Sequence, residues 1–263
     1  MIQQFRTLIL VNAFGFIGVL VANYLANALP IAGKTTGELS DLYPNAFTPA
    51  GFTFSIWGII YLSVLLLIIF FFQKGWKQGG AAHPYLHAIG WWFFISCLAN
   101  IAWILAWHYQ AVGLSLLIML LILGSLVMVY VQLRKKAPMP EDTWTLIAVF
   151  VPFSLYLGWI CVATIANTTA FLVDIGWTGG SIAGTSWAVI MMGVAIILTI
   201  AFQLKFHDWP LLLVTCWALF GISSRYLPTW EAVSITGIGG IAILALLQIY
   251  TWTQKKPYPT SIS

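Results

Sequence analysis

Charge is what this sequence has least of. Seven acidic and eleven basic side chains make up 7% of 263 residues, against about 25% in a typical soluble domain. Because 61% of the residues are hydrophobic, too few polar groups remain to cover a water-exposed surface, and a soluble globular fold is excluded. Cysteine is also scarce: Cys97, Cys161 and Cys216 all sit inside apolar runs without metal-ligand spacing and read as small buried hydrophobes. CxxC, HExxH, a Gly-rich phosphate loop and an acid–base carboxylate pair are missing, which removes most enzyme chemistry. His83, His87, His108 and His207 stand apart at span ends and in a loop, so they read as interfacial residues and not as a metal set. The net charge of +4 has no basic stripe interleaved with aromatics behind it, and nucleic acid is not an expected partner.

What the chain does have is long apolar runs. Blocks at 7–29, 52–72, 86–107, 111–133, 144–167, 184–204, 209–227 and 232–252 each approach the roughly 20 residues that cross a bilayer. None alternates strictly, and each is about twice the length of a barrel strand. The expectation is an all-α polytopic bundle of eight transmembrane spans. The first span ends on Ala26-Asn27-Ala28, which also resembles a signal-peptide cleavage site. Its apolar run is longer than usual for such a signal, and Gly18, Ala22 and Ala26 form a ridge suited to close helix packing.

Basic residues set the expected orientation. With the N-terminus inside, Arg6, Lys74, Lys77, Arg134, Lys135, Lys136, Lys205, Lys255 and Lys256 fall on the cytoplasmic side, and only Lys34 and Arg225 fall outside. Both termini are therefore expected in the cytoplasm, with the protein in a bacterial plasma membrane and lipid as its surroundings. Asp, Glu and Lys are absent from every span interior. Ion-coupled transporters keep such groups at mid-depth, so an active transporter is disfavoured while a facilitator for a neutral or amphipathic solute stays open.

Aromatic and amide side chains recur at helical spacing instead. Ser96, Asn100, Trp103 and Trp107 share one face of the third span. Trp159, Ala163 and Asn167 follow at steps of four in the fifth, with Tyr156 one turn below. Phe54, Trp57 and Tyr61 form a similar stripe in the second. At about 1.5 Å per residue, these groups all lie in the outer half. Above them runs the first outer loop, Pro30 to Ala50, with Lys34, Glu38, Asp41, Tyr43, Pro44 and Pro49, long enough to fold over the bundle mouth. The pattern predicts a Trp- and Tyr-walled cavity for a large flat apolar ligand. The bland alternative is that Trp and Tyr collect at interfaces and Asn bonds a neighbouring helix. For Trp76, Trp144, Trp209, Trp230 and Trp252, at span ends, the interfacial reading is preferred. Val127, Tyr130 and Arg134 match a weak sterol-type pattern at the end of span four.

The stretch "LANIAWILAWHYQAVGLSLLI" resembles the third and fourth helices of TspO/MBR proteins, the tryptophan-rich sensory proteins related to the mitochondrial translocator protein. "VPFSLYLGWICVATIAN" is similar to their fifth helix. Pro49, Trp57 and Tyr61 match the Pro-rich start and W-x-x-x-Y of their second. The resemblance covers residues 1–173. It implies a five-helix bundle, often a homodimer, with a cavity under the first loop for porphyrins, haem or sterol-like lipids; Trp57, Asn100, Trp103, Trp159, Ala163 and Asn167 would line it. "AGFTF" stands where a further Trp commonly opens the family's second helix. After Phe171 the Gly-rich "LVDIGWTGGSIAG" marks the expected boundary of a second unit, 174–263, with three more helices. The expected function is a sensory or receptor protein, with no cofactor beyond a bound porphyrin or haem as ligand. Turnover of a bound tetrapyrrole would require acid–base groups that the sequence does not supply.

Overall fold

In the computed structural model of the protein, residues 2–29, 31–76, 83–138, 140, 142–177, 179–180, 182–227 and 229–254 are described, and no strand occurs among them. The first rod is α1 (Ile2–Asn27), followed by a loop that contains a short helix, α2 (Thr36–Ser40). A 3-10 turn at Gly51–Ser55 opens α3 (Ile56–Phe70), which closes in a π turn. The third rod is α4 (His83–Ile89) with α5 (Trp92–His108), and α6 (Val112–Lys136) returns beside it. One turn, α7 (Thr143–Thr145), and a π turn lead into α8 (Val151–Asp174). The chain ends in α9 (Gly184–Phe206), α10 (Trp209–Tyr226) and α11 (Glu231–Thr253).

Six segments, Gln3–Asn27, Gly51–Lys74, Val112–Lys136, Thr143–Asp174, Gly184–Phe206 and Glu231–Thr253, are long and apolar enough to cross a membrane. The protein is a polytopic all-α bundle. The run expected as an unbroken third span, 86–107, is interrupted between α4 and α5. Gly90 has φ +53, a left-handed conformation that only glycine adopts without strain, and its carbonyl accepts from Asn12 Nδ2 at 3.4 Å. α8 is the central post: 72% of its most apolar stretch is buried, against 28% in α9 and α11.

Arg6, Lys74, Arg134, Lys135, Lys136 and Lys205 gather at one end of the bundle, with the Arg6 guanidinium 5.0 Å over the Trp76 ring. Lys77, Lys255, Lys256 and the His83 side chain lie outside the described residues. We term this the basic end and the opposite one the loop end.

Three of the sequence readings change here. Arg134, expected as a loop anchor, is buried with only 4% of its side chain exposed. It donates to Asp208 Oδ2 at 2.7 Å, and its guanidinium lies 3.8 Å over the Tyr130 ring. Asp208, just before α10, is fully buried. It also accepts from Tyr130 at 2.6 Å, from Ser154 Oγ at 2.8 Å and, as helix cap, from the Leu211 amide at 3.2 Å. Tyr130 and Arg134 are thus spent on an internal carboxylate, and of the sterol-type pattern only Val127 is exposed. His108, expected at an interface, is fully buried with Nδ1 2.8 Å from the Ile104 carbonyl.

Asp208 joins α10 to α6 and α8, so its removal strands a buried guanidinium. Asp208→Ala is expected to cost about 3–5 kcal/mol, read as a large fall in detergent melting temperature. The Arg134→Met, Asp208→Ala double variant should recover much of that loss.

Candidate functional site

The loop end is organised by local signals. Thr35 caps α2: its Oγ1 accepts from the Glu38 amide, while Glu38 Oε2 accepts from the Thr35 amide at 2.7 Å and its hydroxyl at 2.9 Å. These bonds, the backbone one first, hold the Glu38 carboxyl below its usual range. The T-x-x-E spacing is a capping box and was available to find this helix within what reads as plain loop. Thr36 and Leu39 are thereby turned inward. Tyr43 packs on Trp107 at 5.8 Å between centroids. Burial, with the negative charge of Asp174 added, pushes its phenol upward.

Beneath the loop, α3, α5 and α8 present the aromatic faces that helical spacing predicts. Trp103 and Trp107, one turn apart on α5, stack at 5.8 Å with 14° between planes. Trp103 Nε1 donates to Asn167 Oδ1 at 3.1 Å, and Asn167 Nδ2 donates to Ser115 Oγ at 3.0 Å. Trp107 Nε1 reaches the Thr36 carbonyl at 3.3 Å and ties α5 to the loop helix. On α3, Trp57 stacks on Tyr61 at 5.3 Å and meets Trp159 edge-on at 6.2 Å.

These groups enclose a cavity of about 50 Å³ walled by Trp57, Trp103, Trp107, Trp159, Ala163 and Asn167, with Thr36, Phe47 and Pro49 from the loop region. Met119 of α6 and Ala218 and Ile222 of α10 complete it. The last two went unnoticed in the sequence, since small aliphatic residues inside an apolar run carry no mark. A groove of about 440 Å³ between α1 and α3, lined by Leu20, Asn23, Tyr24 and Tyr61, shares Thr36, Phe54 and Trp57 with the cavity. Phe54 and Trp57 therefore form the partition between the two spaces.

Three of the expected site residues lie away from the cavity wall. Tyr61 faces the groove. Asn100 and Tyr156 form a buried chain a turn below, in which Asn23 Nδ2 donates to Asn100 Oδ1 and Asn100 Nδ2 to the Tyr156 hydroxyl, both at 3.1 Å. This is the helix-bonding role weighed for in-span asparagines. Further toward the basic end Phe93 and Phe153 close the gap, both 1% exposed and 5.6 Å apart.

Polar groups that find no partner are as telling as those that do. Trp159 Nε1 and Thr36 Oγ1, both on cavity-lining residues, and the Tyr61 hydroxyl at the groove are buried without hydrogen-bond partners. Such a group costs about 1–3 kcal/mol relative to a satisfied one. Among the described residues no three His, Cys, Asp or Glu side chains cluster as a metal site.

The Trp103–Asn167 bond can be tested apart from any ligand. Asn167→Leu orphans the Trp103 N–H and is expected to lose about 1–3 kcal/mol. Trp103→Phe, which leaves Asn167 its Ser115 partner, should cost less. Thermal melts of the two variants check that order.

Comparison with known proteins places the chain. No curated protein and no solved structure matches it. A family model described as TSPO-like protein matches residues 9–250. That match runs past residue 173, the limit of the short-range resemblance, and takes in most of α11. Spanning nearly the whole bundle, it shows that the chain belongs to the TSPO-like family.

Proposed function

We propose that this TSPO-like membrane protein is a sensory or receptor protein that binds a large apolar ligand, a tetrapyrrole or a sterol-like lipid, among Trp57, Trp103, Trp107 and Trp159. The observation that carries the reading is the pairing of these four indoles with the unpartnered Trp159 N–H in one enclosed space. Indole faces supply dispersion and stacking for a flat ring system. The orphan N–H, with the Thr36 hydroxyl, calls for a ligand that carries a hydrogen-bond acceptor.

A volume of about 50 Å³ is well short of the roughly 300–1,000 Å³ of drug-sized sites. The ligand must therefore push side chains aside, and rotation of Phe54 and Trp57 would merge the cavity with the larger groove. That groove, between α1 and α3, would supply the room that the cavity lacks. The closely packed Asn100–Tyr156 and Phe93–Phe153 layers below favour binding over passage through the bundle. In this reading the basic end faces the cytoplasm of a bacterium, as its Lys and Arg excess favours.

Titration of the purified protein in detergent with protoporphyrin IX, followed by tryptophan fluorescence, tests the proposal. Saturable quenching is expected, with about fivefold weaker affinity in Trp159→Phe, which keeps an aromatic ring, though a smaller one, and loses a bond of about 1 kcal/mol. Absence of saturable quenching by protoporphyrin IX, haem or a fluorescent sterol would sink the receptor reading and turn attention to facilitated movement of a smaller solute.

A further inference from the structure

α10 lies outside the five helices whose sequence carries the tryptophan motifs, yet it meets both the cavity and the loop above it. Ala218 and Ile222 are cavity walls. Between them, the Gly221 carbonyl accepts from the Ala50 amide at 3.1 Å. A Cβ on Gly221 would fall 2.0 Å from Thr53 Oγ1, so helix and loop meet with no room for a side chain. At the helix end Arg225 donates to Asp41 Oδ1 at 2.5 Å and to the Pro49 carbonyl at 3.2 Å. The Tyr226 hydroxyl donates to the Asn45 carbonyl at 2.6 Å. Phe47 and Pro49, two further cavity walls, are carried on the stretch that these bonds hold down.

We propose that α10 selects and admits the ligand: Ala218 sets the width the cavity accepts, and exchange requires the loop to release Arg225 and Tyr226. The inference rests on the ligand-cavity reading above. Its chemistry is specific to the end of α10. The Arg225–Asp41 pair is partly exposed, with side chains 31% and 52% accessible, and pairs of that kind are weak enough to break reversibly. The Tyr226 bond is a single neutral hydrogen bond, also modest. Together they give a loop that is closed at rest and opens without unfolding the bundle.

The test uses the full chain in detergent and two readouts. In ligand-free protein, hydrogen exchange of amides in residues 41–53 is expected to quicken about fivefold in Arg225→Gln and similarly in Tyr226→Phe, with α6 unchanged. In stopped-flow quenching by protoporphyrin IX, association and dissociation should both accelerate by the same factor. Ala218→Val, whose two added methyl groups narrow the wall without overfilling it, should weaken quenching by protoporphyrin IX about tenfold while keeping the melting temperature within a few degrees. Unchanged loop exchange in both end variants would overturn the proposal. So would faster loop exchange with unchanged probe kinetics, since the ligand would then use the α1–α3 groove, and so would normal binding by Ala218→Val. If protoporphyrin IX fails to bind the wild-type protein, the receptor reading is what falls, and loop exchange still decides whether Arg225 and Tyr226 hold the loop.

Discussion

A carboxylate shut away from water has to collect its hydrogen bonds from the protein, and the position of α10 follows from where Asp208 collects them. Four donors converge on it: Tyr130 and Arg134 from α6, Ser154 from α8 and the Leu211 amide of its own helix. Removing an ion from water costs several kcal/mol unless geometry and neighbouring donors compensate, so this site tolerates little displacement. With the basic end of α10 pinned, helical rise carries its other end about 25 Å away, to where Arg225 and Tyr226 meet the first loop. One buried charge thereby fixes a cavity wall and a loop contact at the far side of the bundle.

Close approach does the rest. α10 meets α8 at Gly158, where an added Cβ would lie 3.3 Å from the Leu211 Cα. It meets α11 at Gly237, where an added Cβ would lie 2.0 Å from Ser223 Oγ. In a membrane, where burial of apolar surface barely distinguishes a helix neighbour from lipid, such small-residue contacts and interhelical hydrogen bonds carry helix association. The Ser223–Ser234 pair and the Thr199–Thr215 pair, the latter at 2.8 Å, add polar ties from α10 to α11 and α9. The last three helices are therefore packed as an integral part of the bundle that holds the aromatic cavity.

Much of this was legible in the sequence, and the reason is periodicity. Runs of apolar residues near membrane length locate the helices, and steps of three and four place Trp57, Trp103, Trp107, Trp159, Ala163 and Asn167 on faces that the structure brings together around one space. What periodicity does not carry is partner choice. Asp208 drew no notice in the sequence: its side-chain partners lie 54 to 78 residues away, and nothing local names them. Arg134 looked like a topological anchor for the same reason. Asn100 has the same spacing as the cavity residues yet bonds Asn23 and Tyr156, because a one-turn difference in depth separates a wall from a strut. Ala218 and Ile222 were silent altogether: a cavity wall made of small aliphatic side chains is chemically indistinguishable from packing.

The proposed ligand-binding role also constrains how binding energy could be used. The cavity holds almost no free volume, so a ligand of useful size has to displace ring contacts such as the Trp57–Tyr61 stack and the Phe54–Trp159 edge contact at 6.1 Å. Each is worth about 0.5–1.5 kcal/mol beyond burial, and a flat ligand restores equivalent contacts with its own faces. A small aliphatic solute cannot, since it offers no ring to replace the one displaced. The unpartnered Trp159 N–H sharpens the same discrimination, because the ligand that satisfies it removes a standing penalty while one without an acceptor leaves it in place. On the proposed reading, a collapsed, aromatic, under-satisfied cavity would select by the energy needed to open it, and would favour molecules that are at once flat, apolar and able to accept a hydrogen bond.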